Sequence, residues 1–460
     1  MTESQQLAAF VEAATLDGAS PEAVEQLKIR VLDTVGVAIG ALDAEPIIAI
    51  RELLEDLGGT EQATLIGGGK TTPERAAFFN SALSRYLDFM DAYLAKGETN
   101  HPSDNFGAVL AAAESVGASG KQLLTAFAVA YQVHTRLSDV APVRAKGFDH
   151  TTQGAFAAGA SAAKALGLPS EQIANALAIA GTANVALRVT RTGNLSHWKG
   201  LAYPHVSKEG TWAALLASRG ITGPEEVFEG NKGFKDSVSG PFEIDWSKED
   251  LESVKRTIIK KHNAEIHSQS ALDAALDIRA QEGFKAEDID KIRLTTFDVA
   301  YSIIGGGEEG DKQLIRTKEE ADHSLPWMLA VVLLDGQLNP EQYEPSRIVA
   351  DDVQALMKKV EITPSDEFSD RFPDHMPAEL EVTLNDGSVF TASQDSYLGF
   401  HDNPLDWENA RKKFDALVTP LTGEELREEI ATIIHELDTR QVSDLTAALT
   451  KVSPTRSSAA

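Results

Sequence analysis

Cysteine is absent from the 460 residues of this chain. A chain without thiols forms no disulfide, uses no cysteine nucleophile, and holds neither a zinc-thiolate site nor a cysteine-ligated iron–sulfur cluster. Any catalysis in this protein must therefore proceed without the Lewis acid that such a cluster supplies.

Long apolar runs are also missing. No stretch approaches the roughly 20 apolar residues that a membrane span needs. The first residues, MTESQQLAAFVEAA, are polar and acidic, and they lack the basic segment and apolar core of a signal peptide. The sequence thus predicts no membrane association and a cytoplasmic location.

Positive charge is scarce. The chain has 42 lysines and arginines against 70 acidic residues, a net charge of −28. This balance argues against nucleic acid and anionic membrane surfaces as partners. If the substrate is itself an anion, the protein must gather cations locally against its own field.

The length and the periodicity indicate two domains. Helical spacing of apolar residues predicts helices up to about residue 220, including 21–42 and 73–96, and again at 406–418 and 423–450. Between these parts the sequence is mixed, with β-like runs such as 290–297, an Asn-Asp-Gly hairpin turn after 380–384, and a helix at 317–334. We therefore predict an all-helical domain, 1–255 plus 400–460, and an α+β domain, 256–399. The tail at 453–460 is predicted to fray.

Two features of the helical part favour tight packing. Gly36 and Gly40 are four residues apart on one predicted helix, and the segment 154–168 is rich in alanine and glycine. Small residues let helices approach closely. The Gly-rich stretch 66–70 lacks the spacing of a phosphate-binding loop and is predicted to be a turn.

The stretch RYLDFMDAYLAKGETNHPSDNFGAVL, residues 85–110, brings acidic and imidazole groups together. If the helix runs to Gly97, Asp88 and Asp91 share one face, and His101 follows on a loop stiffened by proline. Two carboxylates and an imidazole can move protons. The alternative is a solvated helix face followed by an ordinary N-cap.

Two basic stretches stand out in this acidic chain. Arg144, Lys146 and His150 precede a predicted helix, whose N-terminus favours anions. Residues 188–205 hold a second group, in which Lys199 lies between Trp198 and a glycine. Partial burial would lower the pKa of such a lysine and suit it to proton transfer. The alternative for the first stretch is a capped helix with a solvated basic loop.

Two histidines lie at the edges of the α+β part. His267 follows KHNAEI and His323 follows AD in ADHSLPW. A structural hydrogen bond is the alternative role for each. Neither shows the spacing of a metal-binding motif, so no metal site is predicted.

Five segments in this order carry a family resemblance: RYLDFMDAYLAKGETNHPSDN, RAKGFDHTTQGA, HWKGLAYPH, KHNAEIHSQSA and DHSLPWM. The chain resembles the MmgE/PrpD family over essentially its whole length. That family includes 2-methylcitrate dehydratases, cis-aconitate decarboxylases and iminodisuccinate epimerases. The resemblance implies a large helical domain with an inserted α+β lid, a homodimer, and metal-free, cofactor-free chemistry on di- or tricarboxylates.

The resemblance also assigns site residues. The family's catalytic positions match Asp88, His101, Lys199 and His267. Residues expected to bind the substrate are Asp91, Arg144, Lys146, His150 and His323. Decarboxylases carry a threonine where this chain has Ala92, and the loop before His101 is longer here, so the dehydratase branch is favoured.

The implied reaction is dehydration of 2-methylcitrate to 2-methyl-cis-aconitate, a step of propionate catabolism in the methylcitrate cycle, with citrate as a further substrate to consider. We expect cations at Lys199, Arg144 and Lys146 to hold the carboxylates, unless Lys199 is the neutral base. His101 would protonate the leaving hydroxyl, and Asp88 would orient an acid–base partner. The alternatives are decarboxylation of cis-aconitate, another lyase or epimerase reaction, and non-catalytic carboxylate binding.

Overall fold

The computed structural model describes residues 1–454. They form two compact units, the first comprising 1–189, 200–258 and 405–454, and the second comprising 190–199 and 259–404. Lys199, which the sequence analysis assigned to the helical domain, groups with the second unit. The predicted fraying of the tail concerns mainly residues 455–460, which lie outside the described residues.

The first part of the chain is built from helices, and the sequence marks where some of them begin. Pro21 opens one helix after Ser20, whose side chain accepts from the amide of Ala23. The helices are α1 Glu3–Ala13, α2 Pro21–Gly40, α3 Glu45–Leu57, α4 Pro73–Tyr86, α5 Phe106–Ser115, α6 Gly120–Val140, α7 Thr151–Ala165, α8 Ser170–Ala183 and α9 Trp198–Ser218.

Helices α10 to α16 belong to the second unit, and α17 to α19 return to the first. They are α10 Gln269–Arg279, α11 Asp298–Ile304, α12 Lys318–Ala321, α13 Leu325–Asp335, α14 Pro345–Ile348, α15 Asp351–Leu356, α16 Asp366–Arg371, α17 Trp407–Val418, α18 Glu424–His435 and α19 Val442–Leu449. None of the helices in the described part of the chain combines the length and apolar character that a bilayer crossing requires.

The predicted close packing of small residues is confirmed. A Cβ built on Gly36 of α2 would lie 3.1 Å from the ring of Phe414 in α17. A Cβ on Gly159 of α7 would lie 3.0 Å from that of Ala180 in α8. The contact between Gly36 and Phe414 brings helix α17 onto α2, in the N-terminal part of the first unit.

The predicted helix at 73–96 is wrong in its second half. Helix α4 ends at Tyr86, and a hairpin follows with strands β3 Asp91–Ala95 and β4 Glu98–Asn100, in which Leu94 faces Thr99. The shorter pair β1 Ala63–Thr64 and β2 Lys70–Thr71 encloses the Gly-rich turn, as predicted. A short strand, β5 Ile258–Ile259, follows much later in the chain.

The second unit contains a four-stranded mixed sheet, so the predicted mainly helical fold with a smaller α+β part is confirmed. Its strands are β6 Ile289–Thr296, β7 Val360–Pro364, β8 Ala378–Leu384 and β9 Val389–Gln394, in the order β7-β6-β8-β9. Alternate residues of β8 are buried, which is the pattern of a sheet covered on one face. Helix α10 packs against β8 and β9.

Two further predicted helices are interrupted. The one at 317–334 is divided into α12 and α13, because Ser324 caps α13 and accepts from the amide of Trp327. The one at 423–450 is divided into α18 and α19 by a 3₁₀ turn, Leu437–Thr439. Gly120 donates its amide to the Arg440 carbonyl there, so a tertiary contact sets this break.

Candidate active site

The chain leaves α4 through Asp88, which has a φ of +54°. This left-handed conformation is uncommon outside glycine, although aspartate tolerates it better than most residues. Arg85 donates to Asp88 Oδ1 at 2.8 Å, and both side chains are buried. The prediction that Asp88 and Asp91 share a helical face is wrong, because the helix ends before either residue.

His101 precedes a buried 3₁₀ turn, Pro102–Asn105. Its Nδ1 lies 2.7 Å from the carbonyl oxygen of Asp91. Because a carbonyl oxygen only accepts, Nδ1 carries a proton, and the lone pair of the neutral ring is on Nε2. His101 therefore acts as a base through Nε2 when neutral, and as an acid through Nε2 only when it is an imidazolium.

The turn after His101 is held from α9. Asn105 donates to the Pro102 carbonyl at 2.9 Å and accepts from the Tyr203 hydroxyl at 3.0 Å. Burial raises the pKa of Tyr203 well above its usual value, so the hydroxyl remains a donor. This support fixes the backbone that carries His101.

His150 lies in the same unit as His101, with ring centroids 5.6 Å apart. The ring of His134 is 6.4 Å from that of His150. Burial lowers the pKa of His134 to about 3, so this ring is neutral at physiological pH. The structure thus brings together His101 and His150 beside a histidine that is neutral at physiological pH.

Arg144 and Lys146 lie on a short 3₁₀ turn at the surface of this unit. The amide of Arg144 donates to the buried Glu98 carboxylate at 3.1 Å, and burial raises the pKa of Glu98. Lys146 is exposed, and its Nζ donates to the Ser239 carbonyl. The substrate contact expected of Lys146 stays a prediction beside this bond within the protein.

Lys199 lies in the first turn of α9 and contacts a carboxylate of the same unit. Its Nζ donates to Asp322 Oδ1 at 2.6 Å, and Lys318 donates to Oδ2 at 2.7 Å. His323 Nδ1 is 2.7 Å from Oδ1. Burial opposes ionisation of Asp322, but Lys199 and Lys318 hold its pKa well below the usual range.

Lys199, Asp322 and His323 form a triangle that permits proton exchange. Lys199 Nζ also lies 3.0 Å from His323 Nδ1. If that nitrogen carries a proton for Asp322, its contact with Lys199 is a hydrogen bond only when the lysine is neutral. If Lys199 donates to His323 Nδ1, that nitrogen is unprotonated and cannot donate to Asp322. The contact between Lys199 and His323 and the contact between His323 and Asp322 therefore cannot both be hydrogen bonds while the lysine is charged.

His267 forms a second acid–base pair with Glu265. Nδ1 lies 2.7 Å from Glu265 Oε1, and the His267 amide donates to Oε2 at 2.7 Å. Burial would raise the pKa of Glu265, but His267, His323 and Lys260 lower it to about 2. Glu265 stays ionised and holds the proton on Nδ1. Nε2 is buried without a hydrogen-bond partner among the described residues.

Two aromatic rings flank this pair. The ring of His267 lies 5.8 Å from Phe297 and 5.7 Å from Phe372, and the two phenyl rings stack at 4.7 Å. Neither phenyl ring offers a hydrogen-bonding group. They therefore shield the imidazole from water without occupying Nε2.

Cations outnumber carboxylates in this part of the second unit. Burial lowers the pKa of Lys312, which interacts electrostatically with Glu309, Lys199, Glu265 and Asp322. The buried or partly buried lysines are Lys199, Lys260, Lys312 and Lys318, against the carboxylates of Glu265, Glu309 and Asp322. This balance suits an anion with several carboxylates better than a divalent metal ion, whose usual ligands are oxygen anions.

Sequence reasoning found the histidines and Lys199 but missed their partners. Glu265 lies two residues before His267 within KHNAEIH, and Asp322 precedes His323 directly. Lys318 lies four residues before Asp322, the spacing that joins charges on one helix face. Such neighbouring carboxylates were the available signal. The structure leaves Asp91, which was expected to bind substrate, with partners inside its own unit.

The N-terminal domain model of the MmgE/PrpD family matches residues 5–247, and the C-terminal domain model matches residues 262–439. Together they cover most of the chain.

Individual relatives carry two different names. The 2-methylcitrate dehydratase of Escherichia coli (strain K12) is 31% identical over 72% of this chain and 71% of its own length. The mitochondrial 2-methylcitrate dehydratase of Yarrowia lipolytica is 26% identical over 85% of this chain and 79% of its own. Human cis-aconitate decarboxylase is 28% identical over 94% of this chain and 91% of its own.

Proposed function

Because this chain belongs to the MmgE/PrpD family, we propose that it is a hydro-lyase that dehydrates 2-methylcitrate to 2-methyl-cis-aconitate by metal-independent acid–base elimination. Citrate, dehydrated to cis-aconitate, is the related substrate to test beside it. The dehydratases of Escherichia coli and Yarrowia lipolytica among its relatives support this reaction class.

One observation carries the proposal: a carboxylate-held imidazole lies in a unit with a local excess of lysines. Glu265 fixes the proton on Nδ1 of His267, so Nε2 keeps the lone pair that a general base needs. The lysines near it supply the charge that a tricarboxylate requires. Neither feature alone indicates elimination from a polycarboxylate, but together they match what that reaction demands.

The first step is removal of a carbon-bound proton next to a carboxylate. We assign this to Nε2 of His267, which becomes an imidazolium stabilised by the Glu265 carboxylate. Negative charge develops on the substrate carboxylate, and the Lys199 ammonium favours it. The electron pair of the C–H bond forms the alkene as the C–O bond breaks.

The departing hydroxide needs a proton to leave as water. His101 remains the candidate acid, and it must then be an imidazolium, because its Nδ1 proton already faces the Asp91 carbonyl. Asp88, which accepts a hydrogen bond from Arg85, is the candidate group that orients an acid–base partner. A single general acid or base is typically worth about 10²–10⁴ in rate.

A product assay across three substrates tests the reaction. Purified protein is mixed with 2-methylcitrate, citrate or cis-aconitate, and the conjugated alkene is followed by ultraviolet absorbance and identified by NMR. We expect alkene formation from 2-methylcitrate. If Lys199→Ala or His101→Ala keeps more than about a tenth of the wild-type kcat, the roles given to these residues are wrong.

Decarboxylation of cis-aconitate is the second candidate. It is favoured by the extent of the match to the human decarboxylase, which covers 94% of this chain. The same assay separates the two reactions, because release of carbon dioxide from cis-aconitate would identify the decarboxylase. A protein that binds all three acids and converts none would be a carboxylate-binding module instead.

We also propose that the protein forms a homodimer. Val185, Leu187 and Val189 are 43%, 63% and 69% exposed, and Val189 lies in the 3₁₀ turn Arg188–Arg191. Leu187 pairs with Phe148 through an isolated antiparallel bridge, so three exposed apolar side chains lie within five residues of the chain. Light scattering after size-exclusion chromatography should give twice the monomer mass, and Leu187→Asp should shift the protein towards monomer.

A further inference from the structure

Asp91 opens β3 and is completely buried. Its Oδ2 accepts from the Tyr131 hydroxyl at 2.5 Å and lies 3.7 Å from Arg30 Nε. Its Oδ1 accepts from the amide of Ser103 at 3.2 Å. Both carboxylate oxygens are thus committed to partners in the same unit.

The backbone of Asp91 makes a further contact with the same loop. Its carbonyl oxygen lies 2.7 Å from His101 Nδ1. The residue therefore holds the loop at two points, the His101 ring and the Ser103 amide. These points lie on either side of Pro102, so together they define the orientation of the imidazole.

The groups behind Asp91 are themselves fixed. Arg30 donates to the Thr257 carbonyl at 2.9 Å and to Gln26 Oε1 at 2.9 Å. Burial raises the pKa of Tyr131 well above its usual value, so its hydroxyl remains a donor to Asp91. Arg30 and Tyr131 thus hold Asp91 in place, and Asp91 in turn holds the loop that carries His101.

We propose that Asp91 is a positioning residue, whose carboxylate anchors the turn after His101 while its carbonyl keeps the proton on Nδ1 and the lone pair of the neutral ring on Nε2. This role replaces the substrate contact expected from the sequence. It rests on the proposed function of His101, since orientation matters only if that imidazole takes part in turnover.

Asp91→Asn is the direct test. The amide has the shape of the carboxylate, but one of its two terminal atoms donates and cannot accept from Tyr131 or Ser103. A misplacement of about 1 Å can cost about 10²-fold in rate. We expect kcat to fall by about 10- to 100-fold, with KM changed less than about threefold, because Asp91 does not touch the substrate.

Glu114→Gln is the matched control in the same unit. Glu114 accepts from the amide and hydroxyl of Thr64 at 2.6 and 2.7 Å and from Lys70 at 2.9 Å. Its replacement removes a comparable set of hydrogen bonds, none of which involves the turn after His101. We expect a similar loss of thermal stability in both variants, and a loss of kcat only in Asp91→Asn.

Tyr131→Phe gives a second route that preserves the carboxylate. If Tyr131 acts through Asp91, the Tyr131→Phe variant should lower kcat by a smaller factor than Asp91→Asn does. The double variant should then lose little more than Asp91→Asn alone, since the two changes break one contact. This variant also serves if Asp91→Asn does not fold.

The tautomer of His101 supplies a readout that needs no turnover. In ¹⁵N-histidine-labelled protein, with the signal assigned from its loss in His101→Asn, Nδ1 should be protonated in wild type and the tautomers mixed in Asp91→Asn. Unchanged kcat and tautomer in Asp91→Asn, beside an inactive His101→Asn, would overturn this inference and leave the proposed function standing. An active His101→Asn would instead refute the catalytic role on which it rests.

Discussion

Glu265→Gln tests whether the carboxylate behind His267 is used during turnover. In the native protein the carboxylate lies 2.7 Å from Nδ1 and accepts the His267 amide with its other oxygen. The amide of the variant carries no charge and fills one of these positions with a donor. It therefore stabilises the imidazolium less and no longer fixes one tautomer.

The pKa of Glu265 sets the expected size of the effect. A fall from 4.5 to about 2 corresponds to about 3 kcal/mol of preference for the ionised carboxylate, at 1.36 kcal/mol for each pH unit. His267, His323 and Lys260 together lower this pKa, so only part of the energy belongs to His267. If about 2 kcal/mol belongs to His267, kcat falls about 30-fold.

The assay is the steady-state rate of alkene formation with saturating 2-methylcitrate. Asp273→Asn is the matched control, because Asp273 Oδ1 lies 2.6 Å from His262 Nε2 in the same unit, and His262 has no proposed catalytic role. We expect the control to keep at least about half of kcat, since it disturbs a structural pair only. Equal losses in the two variants would refute the reasoning, as would Glu265→Gln with more than about half of the wild-type kcat.

Three further outcomes are expected. Asp322→Asn leaves two lysines without their buried carboxylate, so urea denaturation should show a loss of about 3–5 kcal/mol; a loss under about 1 kcal/mol would contradict the buried network. Gly154→Ala places a Cβ 2.5 Å from the Tyr203 ring and should lower Tm by several degrees, whereas Gly200→Ala, with open space, should not. The lowered pKa of Glu265 means that its stabilisation is complete above about pH 4.5 and is lost as the pH falls towards 2, so the stability difference between wild type and Glu265→Gln should shrink over that range.

Local signals predicted most of the fold. Helical spacing located the helices, and Ser20 with Pro21 marked one start to the residue. The helix predicted at 73–96 failed where burial at every position of β3 removed the periodicity that separates strand from helix. No local pattern states that Asp88 turns to a left-handed conformation.

The sequence predicted which side chains belong to the candidate site better than it predicted which groups they contact. The histidines and Lys199 were identified from their segments, but the carboxylates that orient them depend on tertiary contacts. Asp322 meets Lys199 across 123 positions of sequence, and spacing cannot reveal such a pair. Glu265 and Lys318 could have been found from the sequence. Glu265 lies two residues before His267, and Lys318 lies four residues before Asp322.

The most direct measurement compares metal-stripped wild type with metal-stripped His267→Asn for conversion of 2-methylcitrate. The account predicts that chelator treatment leaves the wild-type rate unchanged, while His267→Asn loses at least about 10²-fold. A wild-type rate that disappears with chelator and returns with added metal would contradict it, as would a variant that keeps more than about a tenth of the activity.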